Sequence, residues 1–352
     1  MYYYFQLIIL AFTSIVVALN PVTIVSAATT SSDEMTAATG ADGILVPSVS
    51  ARPTTEVVTS TRALIAEPTI RVGLYKTAEP VMFQSDFLYE IFSGQESMGF
   101  LEAGEEAQLS YTNGVYHFQS ENTAFDSPHY FRLVPENKTN YFTLKNYPRF
   151  VKGRGDTNFN VYRGACEYHY SPRSKLPYII NELPLESYIA GIAESSNEVP
   201  MEYAKALLTA ARSYAYAHIR FAPPSDNWLF DVYATTQDQI YLGYNSELRM
   251  PRIAAAAVTT TGEMVTYQGA PVITPYFGHS NGKTKSWQSK GKNNVRPWLV
   301  SVTAPYDKGK KLWGHGIGMS TYDAMMRAQK DGWTYEHILK YYYTGVKIEK
   351  IY

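Results

Sequence analysis

The sequence predicts an α+β fold, a β-rich N-terminal part joined to a mixed helix and strand core, from a change of texture along the chain. From Pro68 to about residue 165, short runs of β-branched and aromatic residues, among them TIRVGLY, VMFQSDFLYEIF and YFTLKNYPRFV, are broken by Asn-Gly, Gly-Gln and Pro signals. Further on, two segments opening at Pro184 and Pro200 carry apolar residues at spacings of three and four. Strand-like runs and a final helical pattern follow toward the C terminus.

With 352 residues the chain is long enough for a full core and about two structural units. Lys and Arg number 31 against 32 Asp and Glu, so no net basic charge points to nucleic acid or to an anionic membrane. The 30 tyrosines each pair a flat apolar face with a hydroxyl, which suits sugar surfaces and β-rich cores alike. A lone Cys166 excludes an intramolecular disulfide and leaves too few thiolates for a Cys-based zinc site.

Residues 1–27 read as a signal peptide or N-terminal anchor: the apolar run FQLIILAFTSIVVAL is followed by Val25, Ser26 and Ala27, a small-residue cleavage pattern. Export is therefore expected, to the extracellular space or cell wall, or anchored on the outer side of the cytoplasmic membrane. That segment is the only membrane contact expected. Residues 28–66, rich in Thr, Ser, Ala and Pro, bury too little to offset ordering entropy and read as a flexible linker.

Residues 67–165 form the β-rich part, where Asn113 and Gly114 in LSYTNGVYHF favour a tight hairpin. Residues 166–352 form the core. Pro184 starts a first helix, with Leu185, Tyr188, Ile189 and Ile192 on one face, because its missing amide costs nothing in a first turn. Pro200 starts a second, whose stripe of Met201, Ala204, Leu207, Leu208, Ala211, Tyr214, Ala215 and His218 is buried. GEMVTYQG and PVITPYFGHS read as strands, and STYDAMMRAQKDG as a final helix ahead of TYEHILKYYYTG.

Three glutamates, Glu194, Glu198 and Glu202, surround the start of the second helix. Glu198 and Glu202 flank Pro200, where free amides and the helix dipole favour negative charge, so a structural role accounts for them. Glu194 lies in the turn between the helices, anchored on both sides and opposed by the dipole of the helix it follows, a rigid mounting suited to acid/base chemistry. His279, Ser280, Asn281 and Thr284 follow a strand-like run, and His315 stands between Gly314 and Gly316. These histidines suit a structural role, a Ser/His hydrolase or, with a carboxylate, a zinc site, although no G-x-S-x-G or H-E-x-x-H motif is present.

Four segments in order, IINELPLESYIAGIAE, PMEYAKALLTAARSYA, TTQDQIYLG and WGHGIGMSTYDAMMRAQKDGWTYEHILKYYYTG, resemble the SpoIID/LytB family of peptidoglycan-acting proteins. The resemblance covers most of residues 68–352 and is most specific from Ile179 onward. It implies a SpoIID-like catalytic core and a lytic transglycosylase that cuts glycan strands stripped of stem peptides. The family's acid, eighteen residues before Arg212, falls on Glu194, with Glu198 as the fallback because the following Met-Pro is here Ser195-Ser196. The family's Gln in GMSQ is Thr321, and the cysteines that some members use for zinc are absent, so neither a metal nor another cofactor is expected.

On that resemblance Glu194 protonates the oxygen between N-acetylmuramic acid and N-acetylglucosamine, then takes a proton as the muramic C6 hydroxyl closes on C1, giving 1,6-anhydro ends. One carboxylate suffices because the sugar supplies its own nucleophile. Glu194 must then be held protonated by apolar surroundings, for which Tyr188 and Tyr214 are candidates. His279, Ser280, Asn281, His315 and Tyr188 are expected to line the sugar groove. Arg212 either clamps a substrate carboxylate or ties buried polar groups together. The alternative function is a noncatalytic glycan-binding module that enhances a partner amidase; a hydrolase using His279, Ser280 and His315 is a third. The expected partners are peptidoglycan glycan strands and, in the alternative, a cell-wall amidase, with no nucleic acid.

Overall fold

The computed structural model describes residues 63–221, 229–291 and 295–352, all within one structural unit. The expected leader and nearly all of the expected linker lie outside the described residues. Among the described residues no helix is long and apolar enough to cross a membrane.

The β-rich texture becomes two sheets. A seven-stranded sheet runs in the order Val232–Tyr233, Thr69–Lys76, Leu176–Pro184, Ala165–Ser171, Phe131–Pro135, Tyr89–Ser93, Glu96–Leu101. Its neighbours are antiparallel except Val232–Tyr233, which runs parallel to Thr69–Lys76. This sheet takes strands from both sides of residue 165, and a segment far along the chain supplies its edge.

A six-stranded antiparallel sheet faces it, in the order Val161–Arg163, Tyr141–Leu144, Val81–Gln84, Glu106–Thr112, Val115–Ser120, Ala124–Ser127. Rings interlock between the two: Phe83 meets Tyr89 edge-on at 5.1 Å between centroids and Phe118 meets Phe131 at 5.9 Å. The Asn113-Gly114 turn forms the hairpin that its composition predicts, with φ of 51° and 87° and Thr112 opposite Val115.

Six helices follow. α1 (Leu185–Ala190) starts directly after the sheet strand, with Pro184 as its N-cap residue. α2 (Met201–Phe221) is buried on more than one stripe: Ala206, Thr209, Ala210, Arg212 and Ser213 are covered as well as Ala204, Leu207, Leu208, Ala211 and Ala215, whereas Met201, Tyr214 and His218 of the predicted stripe stay partly exposed. The reason is that α1, the strand Glu263–Tyr267 and the later helices all pack on it. α3 (Tyr244–Arg249) and α4 (Pro251–Thr259) lead into a three-stranded sheet of Ala270–Pro271, Glu263–Tyr267 and Lys347–Lys350.

Of the expected strand PVITPYFGHS only short pieces form, because Pro275 has no amide to continue a ladder; Tyr276–Phe277 pairs in parallel with Met319–Ser320 instead. Two helices precede the last strand, Lys347–Lys350. α5 (Thr321–Lys330) is the predicted one, with Ser320 Oγ accepting from the Asp323 amide. α6 (Tyr335–Tyr342) was not assigned from its sequence, yet Thr334 caps it by accepting from the His337 amide.

Candidate functional site

Glu194 is held by strand-like pairing across the chain. After α1 ends at Gly191, the Leu242 amide donates to the Gly191 carbonyl at 3.0 Å and the Ala193 amide to the Ile240 carbonyl at 2.8 Å. Gly191 has to be glycine here, since a Cβ would lie 2.5 Å from the Tyr241 ring. The Ile240 amide then donates to Glu194 Oε1 at 2.7 Å. Among the described residues no other hydrogen bond or ion pair reaches this carboxyl, so Oε2 accepts none.

Burial raises the carboxyl's pKa above the usual range, against the opposing pull of the Ile240 amide and the Arg154 guanidinium. Arg154 is itself committed elsewhere, donating to the Ala193 carbonyl at 2.5 Å. Four tyrosines, Tyr188, Tyr203, Tyr214 and Tyr276, sit close enough to feel the Glu194 charge. For each, burial is the first cause of a raised hydroxyl pKa. The result is an aromatic shell that favours the neutral acid.

Gln239 organises that shell and was missed as a site residue, although it lies inside the TTQDQIYLG motif. Its Oε1 accepts from the Tyr188 hydroxyl at 2.9 Å, and its Nε2 donates to the Tyr276 hydroxyl at 2.9 Å. Tyr188 is therefore fully buried with its hydroxyl taken, behind Glu194 and not on a groove surface.

Arg212 is also fully buried, where a substrate clamp was one expectation. It forks onto Glu186 at 2.8 and 2.7 Å and donates to Thr260 Oγ1 and the carbonyls of Ala257 and Glu263. No donor faces an opening, so the geometry is that of a tie between α1, α2 and the strand after α4. The Glu186 and Thr260 partners lie 26 and 48 residues away, beyond any spacing rule. Glu198 is exposed, and Glu202 caps the fold elsewhere, accepting from Lys205 and from the Tyr335 amide.

Ser280 is fully buried and donates to Asp307 Oδ2 at 2.7 Å; the Ser280 amide and Ser320 hydroxyl bind the same oxygen. Asp307, a buried hub that no motif marked, thus takes the hydroxyl a Ser/His hydrolase would need on an imidazole. His279 pairs its backbone with Trp313, and its Nδ1 is buried without a partner, while Asn281 is exposed.

His315 is exposed along one edge, with Nδ1 accepting from the Ile317 amide at 3.0 Å. Desolvation of the ring, then the charges of Lys290 and Lys285, push its pKa down to about 4 against the opposing Tyr276 backbone, so it is neutral near pH 7. Among the described residues no hydrogen bond or ion pair joins Glu194 to either imidazole, but both regions meet Tyr276. Thr321 donates to the Gly278 carbonyl at 3.0 Å, and Tyr203 contacts its hydroxyl. Gly318, at φ 79°, lies close against the segment before Tyr276, where a Cβ would strike the Pro275 carbonyl.

Two hollows lie outside this cluster. One of about 340 Å³ is lined by the Arg71–Glu167 and Arg132–Glu182 forks, and one of about 600 Å³ by Tyr75, Tyr147 and Tyr178 among others. Among the described residues no group of three His, Cys, Asp or Glu side chains is placed to hold a metal ion.

A family model described as SpoIID, stage II sporulation protein, matches residues 174–267, a span that includes Glu194, Arg212 and Gln239 and stops before His279. Stage II sporulation protein D of Bacillus subtilis (strain 168) is 24% identical, over 49% of this chain and 76% of that protein. Its counterpart in Bacillus amyloliquefaciens is 28% identical, over 37% and 41%. An uncharacterised protein of Brachyspira hyodysenteriae is 32% identical over 39% of this chain and 36% of its own length. The matches to these last two span less than half of each relative.

Proposed function

Because the chain belongs to the SpoIID family, we propose that it is an exported peptidoglycan lytic transglycosylase acting on peptide-stripped glycan strands. The apolar run and small-residue pattern within residues 1–27 support export to the wall, and the relatives' printed names support a place in sporulation. The observation that carries the reading is a half-buried carboxyl held by one amide, with its pKa raised and, among the described residues, its second oxygen uncommitted. Protonated Glu194 donates to the bridging oxygen as the muramic C1–O bond breaks. The carboxylate then removes the C6 hydroxyl proton as the C6 oxygen bonds to C1, and no water is consumed.

His279, Asn281 and His315 are proposed to line the groove around the Tyr276 edge. The test is release of 1,6-anhydro-muramic ends from denuded strands by the full chain and by Glu194→Gln. Loss in the variant, with melting unchanged, supports the reading; equal release refutes it. A second reading, a noncatalytic module that enhances a partner amidase, is favoured by the position of both hollows away from Glu194. Strand retention without anhydro ends in the parent chain would select it.

A further inference from the structure

We propose that the aromatic hollow beside the strand Thr69–Lys76 is a second saccharide subsite, taking an acidic sugar of the same strand that Glu194 is proposed to cut. This rests on the Glu194 reading for the identity of the strand. At about 600 Å³ the hollow falls in the range of ligand sites, typically about 300–1,000 Å³. Its walls are aromatic: Tyr75 stacks on Tyr147 at 3.7 Å with 4° between planes, while Phe230 meets Tyr178 tilted at 4.9 Å and Tyr233 edge-on at 4.8 Å, so the rings present faces in several directions. Such faces cover the C–H side of a pyranose, while Ser174, Thr235 and Gln237 offer polar groups to its hydroxyls.

The charge of the hollow decides which sugar. Lys76 and Arg173 line it, both exposed, and no lining residue carries a carboxylate. A saccharide with a carboxylate, such as the lactyl group of a muramic residue, complements this better than a neutral chitin-type sugar. The smaller hollow differs, because each of its guanidinium groups already forks onto a carboxylate.

Local backbone features build the larger hollow. The pairing of Thr69–Lys76 with Leu176–Pro184 slips between Gly73 and Tyr75, and Tyr75 is left half-exposed where Leu74 is buried. Gly73 lets the Phe230 ring lie on the backbone, since a Cβ there would be 2.5 Å from Phe230 Cζ.

One loop joins hollow and acid. Thr235 and Gln237 form the rim, Asp238 is pinned by the Tyr214 hydroxyl and the Tyr233 amide, and Ile240 donates to Glu194. A strand seated in the hollow would thus press on the segment that positions the carboxyl.

The experiment measures equilibrium binding of denuded muramic-containing strands, long and short, to the full chain carrying Glu194→Gln. Long strands are expected to bind more tightly than a single disaccharide, and Tyr147→Ala and Arg173→Glu to weaken the long strands roughly tenfold while sparing the disaccharide. Neutral chitooligosaccharides should not respond to Arg173→Glu. Unchanged long-strand affinity in Arg173→Glu, an exposed position that leaves folding intact, overturns the proposal. So does equal affinity for long and short strands, or no strand binding by the parent. Since the readout is retention by a chain that cannot cut, it stands apart from the cleavage assay: a Glu194→Gln chain that still cuts would refute the proposed reaction and leave the binding result to be judged separately.

Discussion

Burial raises the pKa of both the covered Glu167 and the half-buried Glu194, yet the protein holds them differently. On the charged sheet face Arg71 forks onto both oxygens of Glu167, at 2.8 and 2.5 Å, beside the matching fork of Arg132 on Glu182. At the helix junction Glu194 receives one amide on one oxygen. A forked carboxylate is fully committed to structure and has nothing left to give a ligand. One held by a single amide keeps an oxygen for proton transfer, and its position is set without its charge being neutralised.

The largest expected effect breaks the comparison at its functional end. Glu194→Gln should lower anhydro-end release by roughly 100- to 10,000-fold with the melting temperature maintained, whereas Glu167→Gln should leave release unchanged. Next, Arg212→Met should cost about 3 kcal/mol or more in urea unfolding, because Glu186 loses a two-point partner and Tyr352 alone still donates to it from a side chain. A loss well under 1 kcal/mol would show that forks of this kind do not hold the fold. Gln239→Leu should cost about 2 kcal/mol, since the Tyr188 and Tyr276 hydroxyls both lose their partner, and should also slow cleavage through the displaced shell. Wild-type cleavage in that variant would remove Gln239 from the positioning of Glu194.

The smallest effects are read against pH. Burial favours protonated Glu194, so its contribution to stability is full below the ordinary carboxylate pKa and is lost as pH rises through the raised value. Cleavage should fall over the same rise, and Glu194→Gln should flatten that part of the stability profile. His169 runs the other way. Burial pushes its pKa down to about 4, so its contribution is present above the ordinary 6.5 and is lost as pH falls toward 4. His169→Phe, which keeps the stack on Tyr130, should remove that loss in denaturation curves measured across the interval.

The sequence alone carried what depends on neighbours along the chain. The Asn113-Gly114 hairpin, the span of α2 and the helix at STYDAMMRAQKDG follow from turn chemistry and periodicity, and the two proline-started helices placed Glu194 between them. Pairings across the fold were decided only in three dimensions. The Ile240 amide reaches Glu194 over 46 residues, Asp307 takes the Ser280 hydroxyl from an imidazole, and Arg212 turns to Glu186. Local propensity sets which backbone a segment adopts, but the partner of a buried polar group is whichever complementary group packing brings within hydrogen-bonding distance, and no spacing along the chain encodes that distance.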